Sequence, residues 1–325
     1  MLAKVTLDKT QLSVSRLCLG TNMFGTVFHQ EQANELLDTF VAAGGNFIDT
    51  ARSYGDWIPG IPPGASERTI GAWLARRSRA GLVIATKGAH FDLRAGTYAP
   101  RVNPQCIATD IAESLGNLQL DQIDLWWLHT DDPSQPVEVI IDSLIREQQA
   151  GRIRYFGASN WSPARIQEAQ RYAKSIEHDG FVAIQPFWGL AVPNADGAKA
   201  QGYGPYYEDG FASVHASGLT MIPYAGQSRG FFSKLASGGE KSLPDHLAAM
   251  YLNETNRKRA RAVQALAARH AVSVNEIVLA YLLSQPLLTV PIIGASSPQQ
   301  LADSLKAVNV QLSAQELEQL RTGSN

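Results

Sequence analysis

Short apolar runs recur along the chain, each followed by small or polar residues and then by a stretch with one-turn hydrophobic spacing. The runs cover residues 17–19, 46–48, 82–85, 123–128, 153–156, 181–184, 219–222 and 288–293. They are nearly continuous in hydrophobicity rather than alternating, as parallel strands covered on both faces are. Between them, Leu36, Leu37, Phe40 and Val41 fall on one helix face. So do Ile107, Ile111, Leu115 and Leu118, then Val137, Ile141 and Leu144. Start signals stand at Ser66, at Asn103 with Pro104, at Ser162 with Pro163 and at Ser297 with Pro298; Gly44 and Gly151 suit helix ends.

Strand ends near residues 20, 49, 87, 129, 159, 185, 224 and 294 leave room for one helix between most neighbours. The last interval is long enough for a polar loop at 237–245 and helical stretches at 257–269 and 274–284. Eight alternating units without a composition break predict one domain over residues 1–325, a (β/α)8 TIM barrel. Residues 4–14 read as an N-terminal β-hairpin closing the bottom, with extended loops at the C-terminal mouth. An open doubly wound sheet would normally carry a G-x-G-x-x-G turn, which is absent. The stretch 238–242 reads as a loop rather than a phosphate-binding turn.

Composition fits this picture: 45% hydrophobic residues over 325 positions supply the core of one large barrel. A net charge of -2 provides no field to attract nucleic acid or an anionic membrane. Arg257, Lys258, Arg259 and Arg261 read as a solvated helix face. Two cysteines, Cys18 and Cys106, are too few for a disulfide framework. The first ten residues lack the apolar stretch of a signal peptide, so a cytoplasmic location is expected. His29, His178, His215, His246 and His270 share no spacing, and no metal site is expected.

Barrels of this kind keep their chemistry at the C-terminal ends of the strands. Asp49, Lys87, His129, Ser159 with Asn160, Gln185 and Tyr224 stand there in turn, and Tyr54 lies in the loop after Asp49. Each singly has a structural reading, a salt bridge or a packed histidine. Jointly, four proton-handling groups on three adjacent strand ends suit carbonyl reduction. A lysine cation would lower the pKa of a neighbouring tyrosine and ease proton transfer. Asp49 would hold that lysine, and His129 would donate to the carbonyl oxygen. A lyase forming a Schiff base on Lys87 is a competing reading of the same groups.

The segments NFIDTARSYG, GLVIATKGAH, IDLWWLHTDD, IRYFGASNW and PIIGASSPQQLADSL together resemble the aldo-keto reductase superfamily, in its order, from about residue 10 to 320. The resemblance implies a catalytic tetrad of Asp49, Tyr54, Lys87 and His129. It implies that Ser159, Asn160 and Gln185 hold the nicotinamide carboxamide and that Tyr224 stacks on the ring. The stretch 225–234, with Ala225, Gly226, Gln227, Arg229 and Lys234, would wrap the pyrophosphate. Gly294, Ser296, Ser297, Gln300 and Asp303 would surround the adenosine end, where helix-terminal amides suit a phosphate. NADP(H) is the preferred cofactor on this resemblance. NAD(H) remains admissible, because Ser296 stands where many relatives carry a basic residue. A small carbonyl or alcohol, a sugar among them, is the implied substrate, and a cofactor-binding regulatory subunit is the alternative role. Residues 55–65 form an insertion beside Tyr54. Phe24, Trp57, His90, Trp161 and Trp188 are candidates for the substrate wall. Asp131 and Asp132 either bind substrate hydroxyls or form the turn before Pro133. Trp126 and Trp127 read as core.

Overall fold

The computed structural model describes residues 1–207, 214 and 218–324; His215 lies outside them. A hairpin of β1 (Lys4–Thr6) and β2 (Ser13–Ser15) precedes the barrel strands. These are β3 (Cys18–Gly20), β4 (Phe47–Asp49), β5 (Val83–Gly88), β6 (Ile123–Leu128), β7 (Ile153–Ser159), β8 (Ala183–Gln185), β9 (Thr220–Met221) and β10 (Ile292–Ile293). Strands β3 to β9 pair in parallel in chain order, and β10 pairs with β3. The ring closes where the chain before β10 meets β9. Met221 donates to the Leu288 carbonyl at 2.9 Å, Val290 donates to the Met221 carbonyl at 2.8 Å, and Ile292 donates to that of Pro223 at 2.9 Å. The architecture is the (β/α)8 barrel that the alternation predicts. The last apolar run, 288–293, is strand only at its end, yet its first half makes the closing bonds.

Side-chain alternation fixes what the barrel holds. Register pairs Asp49 with Ala85, Lys87 with Trp127, Trp127 with Gly157 and Ser159 with Gln185. Phe47, Val83, Ala85, Leu125 and Trp127 therefore pack inside the barrel, with Cys18, Ala183 and Ile222. Two-residue steps along β4, β5 and β6 then deliver Asp49, Lys87 and His129 to the mouth. The Trp127 indole crosses the interior. A β-carbon on Gly157 would lie 2.5 Å from its ring and 2.5 Å from the Ala183 carbonyl oxygen, so only glycine fits there. Leu7, Leu12 and Val14 of the hairpin join the interior cluster from the opposite end. Its turn is tied to β7 and β9 by Gln11 N to the Tyr155 hydroxyl (3.0 Å) and Asp8 N to Thr220 Oγ1 (3.1 Å).

The other strand faces pack against helices whose apolar stripe faces inward, such as Gln30–Ala42, which buries Leu36, Leu37 and Phe40. Asn103, Ser162 and Ser297 cap their helices through side-chain oxygens, each followed by proline. Ser66 does not cap: left-handed Gly64 precedes helix Ala65–Leu74, and the buried Ser66 bonds to Thr21 and Thr50. The loop read at 237–245 begins as helix, Phe231–Gly238, and shortens to a single tight turn at 240–242. Arg259 is not on a solvated face. It is buried, with its guanidinium on the carbonyls of Leu190 and Arg321. Trp126 and Trp127 are fully buried, Cys18 is buried, and both cysteines are free. Among the described residues, no single helix is long and apolar enough to cross a membrane.

Candidate active site

At the mouth, Lys87 is the centre of a buried cluster. Its Nζ donates to Asp49 Oδ2, to the Thr50 carbonyl at 2.8 Å and to the Tyr54 hydroxyl at 2.9 Å. Asp49 Oδ1 accepts from Gln185 Nε2 at 3.0 Å. Tyr54 reaches Lys87 because the chain leaves β4 through a tight turn in which Tyr54 N donates to the Ala51 carbonyl. Burial works against the charge of Lys87, but Asp49 and then Tyr54 outweigh it and hold the ammonium above its ordinary pKa. Burial pushes the Tyr54 hydroxyl up, with the Lys87 cation pulling the other way, and burial prevails. The lowering expected from lysine alone is thus only one of two opposed effects. Tyr54 is a protonated phenol at neutral pH, and Lys87 is a tied cation, not the free amine that a Schiff base requires.

His129 faces the mouth beside this cluster, its ring edge-on to Tyr54 at 6.0 Å and to His90 at 4.4 Å. Burial, then the neighbouring His90 and Lys87, holds its pKa well below the ordinary value, so the imidazole is neutral. Its Nδ1 lies 3.3 Å from the Ser53 hydroxyl. Sequence reasoning passed over Ser53; the available signal was a polar residue immediately before the tyrosine, in the loop after β4.

Along the next strand ends, Ser159 Oγ donates to the Gln185 carbonyl at 2.9 Å. Asn160, in the left-handed region at φ 60, donates to the His129 carbonyl at 2.9 Å and to Ser159 Oγ at 3.2 Å. Its Oδ1 accepts from the Tyr224 hydroxyl at 2.7 Å. The Tyr224 ring stacks on Phe187 at 5.6 Å, and Gly204, from the connection between β8 and β9, donates to the Tyr224 hydroxyl at 3.4 Å. Three of the four nicotinamide candidates, Ser159, Asn160 and Tyr224, are joined directly, and Gln185 joins them through its carbonyl.

The stretch 225–234 fits a phosphate group. Ala225, Ser228, Arg229 and Gly230 all have positive φ, and the turn leads into the N-terminus of helix Phe231–Gly238. The Ser228 hydroxyl is buried without a partner among the described residues, an orphan that a bound oxyanion would satisfy. Ala225 and the buried Gly226 lead into this turn. Arg229 reaches Gln201 Oε1 at 2.6 Å and lies 5.3 Å over the Tyr203 ring, and Lys234 Nζ donates to the Arg229 carbonyl at 3.0 Å. Gln227 is a brace within the protein. It donates to Asn275 and Ser304 at 3.2 Å each and accepts from Gly294 N at 2.9 Å. Ser296 donates through both N and Oγ to Gln300 Oε1, and Ser297 Oγ accepts from Gln300 N. Asp303 is half-buried and ion-paired with Lys306 at 2.7 Å.

The aromatic candidates divide. Trp57 is 49% exposed and sits edge-on to Tyr54 at 6.2 Å, so it stands at the rim with His90. Phe24 is buried against Phe28 at 6.3 Å. Trp161 is buried against Phe181 with its indole on the Thr130 carbonyl, and Trp188 is buried against Tyr207. Asp132 accepts from Ser134 N and Oγ and shapes the turn, while Asp131 pairs with Arg165 at 3.2 Å. Among the described residues, no group of three His, Cys, Asp or Glu is arranged to hold a metal ion.

The aldo/keto reductase family model matches residues 16–323, nearly the entire chain. The chain belongs to the aldo/keto reductase family. Similar curated proteins extend along almost its full length. An uncharacterized oxidoreductase of Bacillus subtilis is 28% identical over 97% of this chain and 93% of its own length. An aldo-keto reductase of Emericella nidulans is 29% identical over 96% and 78%. A putative aryl-alcohol dehydrogenase of Saccharomyces cerevisiae is 29% identical over 97% and 85%. This aldo/keto reductase is accordingly an oxidoreductase of a family that interconverts carbonyls and alcohols with nicotinamide cofactors.

Proposed function

We propose that this aldo/keto reductase converts an aldehyde or ketone to the alcohol, and the reverse, with Tyr54 as the acid and base and with NADP(H) preferred over NAD(H). The observation that carries the reading is Lys87 held by Asp49 and donating to the hydroxyl of Tyr54, beside a neutral His129. When bound, the reduced nicotinamide supplies a hydride to the carbonyl carbon. Ser159, Asn160 and Gln185 would hold its carboxamide, Tyr224 its ring, and the turn at 225–230 its phosphates. Tyr54 keeps its proton on Oη until negative charge grows on the carbonyl oxygen, and then gives it up to that oxygen. The Lys87 ammonium steadies the tyrosinate left behind. His129 donates a hydrogen bond to the same oxygen and shares its developing charge. In the oxidative direction the tyrosinate takes the alcohol proton.

An aromatic carbonyl is the favoured substrate class. The half-exposed Trp57 beside Tyr54 supports it, as does the kinship with a putative aryl-alcohol dehydrogenase. The cofactor preference rests on the family resemblance. Asp303 would work against a 2′-phosphate, but its pairing with Lys306 reduces that opposition. The neutral donors around Ser296 make the margin small, each contributing about 0.5–1.5 kcal/mol. Titrating tryptophan fluorescence with NADPH and with NADH should give tighter binding of NADPH; the reverse order overturns the preference. Tyr54→Phe should retain the fold and cofactor affinity while slowing reduction by about 10²–10⁴-fold. Near-native rates in that variant would remove Tyr54 from the acid role.

A further inference from the structure

The mouth of the barrel contains a second hydroxyl whose position bears on the reaction. Ser53 is buried, and its Oγ has one hydrogen-bond partner among the described residues, His129 Nδ1 at 3.3 Å. The His129 side chain likewise has no other hydrogen bond there. Its ring is otherwise bordered by the edges of Tyr54 and His90, and neither contributes a hydrogen bond to it. Nε2 is thus the nitrogen left for the mouth.

Two proton arrangements satisfy the contact. In one, the imidazole carries its proton on Nδ1 and donates to Ser53. The serine hydrogen is then a buried donor with nothing to receive it, an arrangement that burial disfavours. In the other, Ser53 donates its only hydrogen to the Nδ1 lone pair, and the imidazole proton sits on Nε2. No donor is orphaned, and the N–H faces the cavity. A neutral histidine can donate to a substrate oxygen only in the second arrangement.

We propose that Ser53 is a positioning residue that donates to Nδ1 of His129 and so fixes the tautomer in which Nε2–H faces the substrate oxygen. The inference rests on the proposed carbonyl chemistry for its consequence but not for its test. Ser53 precedes Tyr54 in the same turn, so one short segment after β4 delivers the proton donor and also orients the group that receives the developing charge beside it.

The test is nitrogen NMR on protein labelled with 15N-histidine, with His129 assigned by its loss in His129→Gln. The wild-type ring should carry its proton on Nε2 and show Nδ1 as a hydrogen-bond acceptor. In Ser53→Ala the Nδ1 resonance should move to that of an unbonded acceptor, or the proton should redistribute between the nitrogens. Ser53→Thr keeps a hydroxyl and should restore the wild-type pattern. Reduction should slow by roughly two- to tenfold in Ser53→Ala, the worth of one ordinary hydrogen bond, with cofactor affinity unchanged. A wild-type proton on Nδ1, or identical Nδ1 signals in wild type and Ser53→Ala, overturns the proposal. If the signal moves and reduction does not slow, Ser53 still holds the ring, and it is the donor role of His129 that falls.

Discussion

Lys87 has three partners and nowhere to move, and each partner has a different claim on it. Asp49 neutralises it, the Thr50 carbonyl aims it, and the Tyr54 hydroxyl receives its third hydrogen bond. Lys87→Met keeps similar volume but leaves the buried Asp49 carboxylate without its counter-charge, with the neutral Gln185 amide still donating to it. Removing one member of a buried pair costs about 3–5 kcal/mol, and the variant should unfold at correspondingly lower urea as well as lose turnover. Wild-type stability would mean that the pair contributes only to chemistry. The identities of these groups were legible in the sequence because the last inward residue of a parallel strand faces the mouth. Asp49, Lys87 and His129 each occupy that position after an apolar run. Contacts made by loops were not legible. Nothing in the sequence tells that Gln227 is spent on Asn275, Ser304 and Gly294, or that Ser53 meets His129, because those distances depend on how a turn is folded.

The loops after β4 and β5 are held together by a network of charge, and this decides where Trp57 and His90 stand. Arg101 donates to both oxygens of the buried Asp110, at 3.0 and 2.7 Å, and Asp110 also accepts from Ala89 N at 2.7 Å. Arg52 lies 3.6 Å from the same carboxylate and 2.6 Å from Glu113. Arg94 ties Asp56 at 2.7 Å and the Ile61 carbonyl at 2.6 Å. Asp110→Ala would leave Arg101 without its carboxylate and the Ala89 N–H without its acceptor, while Arg52 keeps Glu113. It should cost about 3–5 kcal/mol in urea denaturation. It should also raise the substrate KM, since Ala89 sits directly before His90; an unchanged KM would show that the rim is set by other contacts. Elements themselves read well from the sequence where periodicity was strong, as at 104–118 and 137–149. Helix Phe231–Gly238 is not among the expected elements: it falls between the stretch assigned to the pyrophosphate and the loop read at 237–245, and eight residues started by left-handed Gly230 give too few turns for a periodicity to show.

Across the whole molecule, burial of neutral histidines couples stability to pH. His90 and His129 are both held below the ordinary value, burial being the first cause in each. Unfolded histidine takes up a proton near pH 6.5, at about that value, while these two remain neutral in the folded protein. The unfolded state then binds more protons, so their contribution to stability is present above about pH 6.5 and is lost as pH falls. The limiting slope is about 1.4 kcal/mol per pH unit for each histidine. Urea midpoints of the wild type should therefore fall more steeply between pH 7 and pH 5 than those of a His90→Asn, His129→Asn double variant. Parallel curves would mean that both rings protonate in the folded state.

The closing of the barrel has a consequence in time. Cys18 in β3 pairs with Ile292 in β10, and Met221 is bonded to both Leu288 and Val290, so the sheet becomes a ring only when its final strand arrives. Joining ends so distant along the chain is entropically costly, and such contacts form late. A sheet of β3 to β9 assembled before residues 288–293 emerge in synthesis would have β3 and β9 as bare edges. For that interval the danger lies in edge-to-edge pairing with another nascent chain.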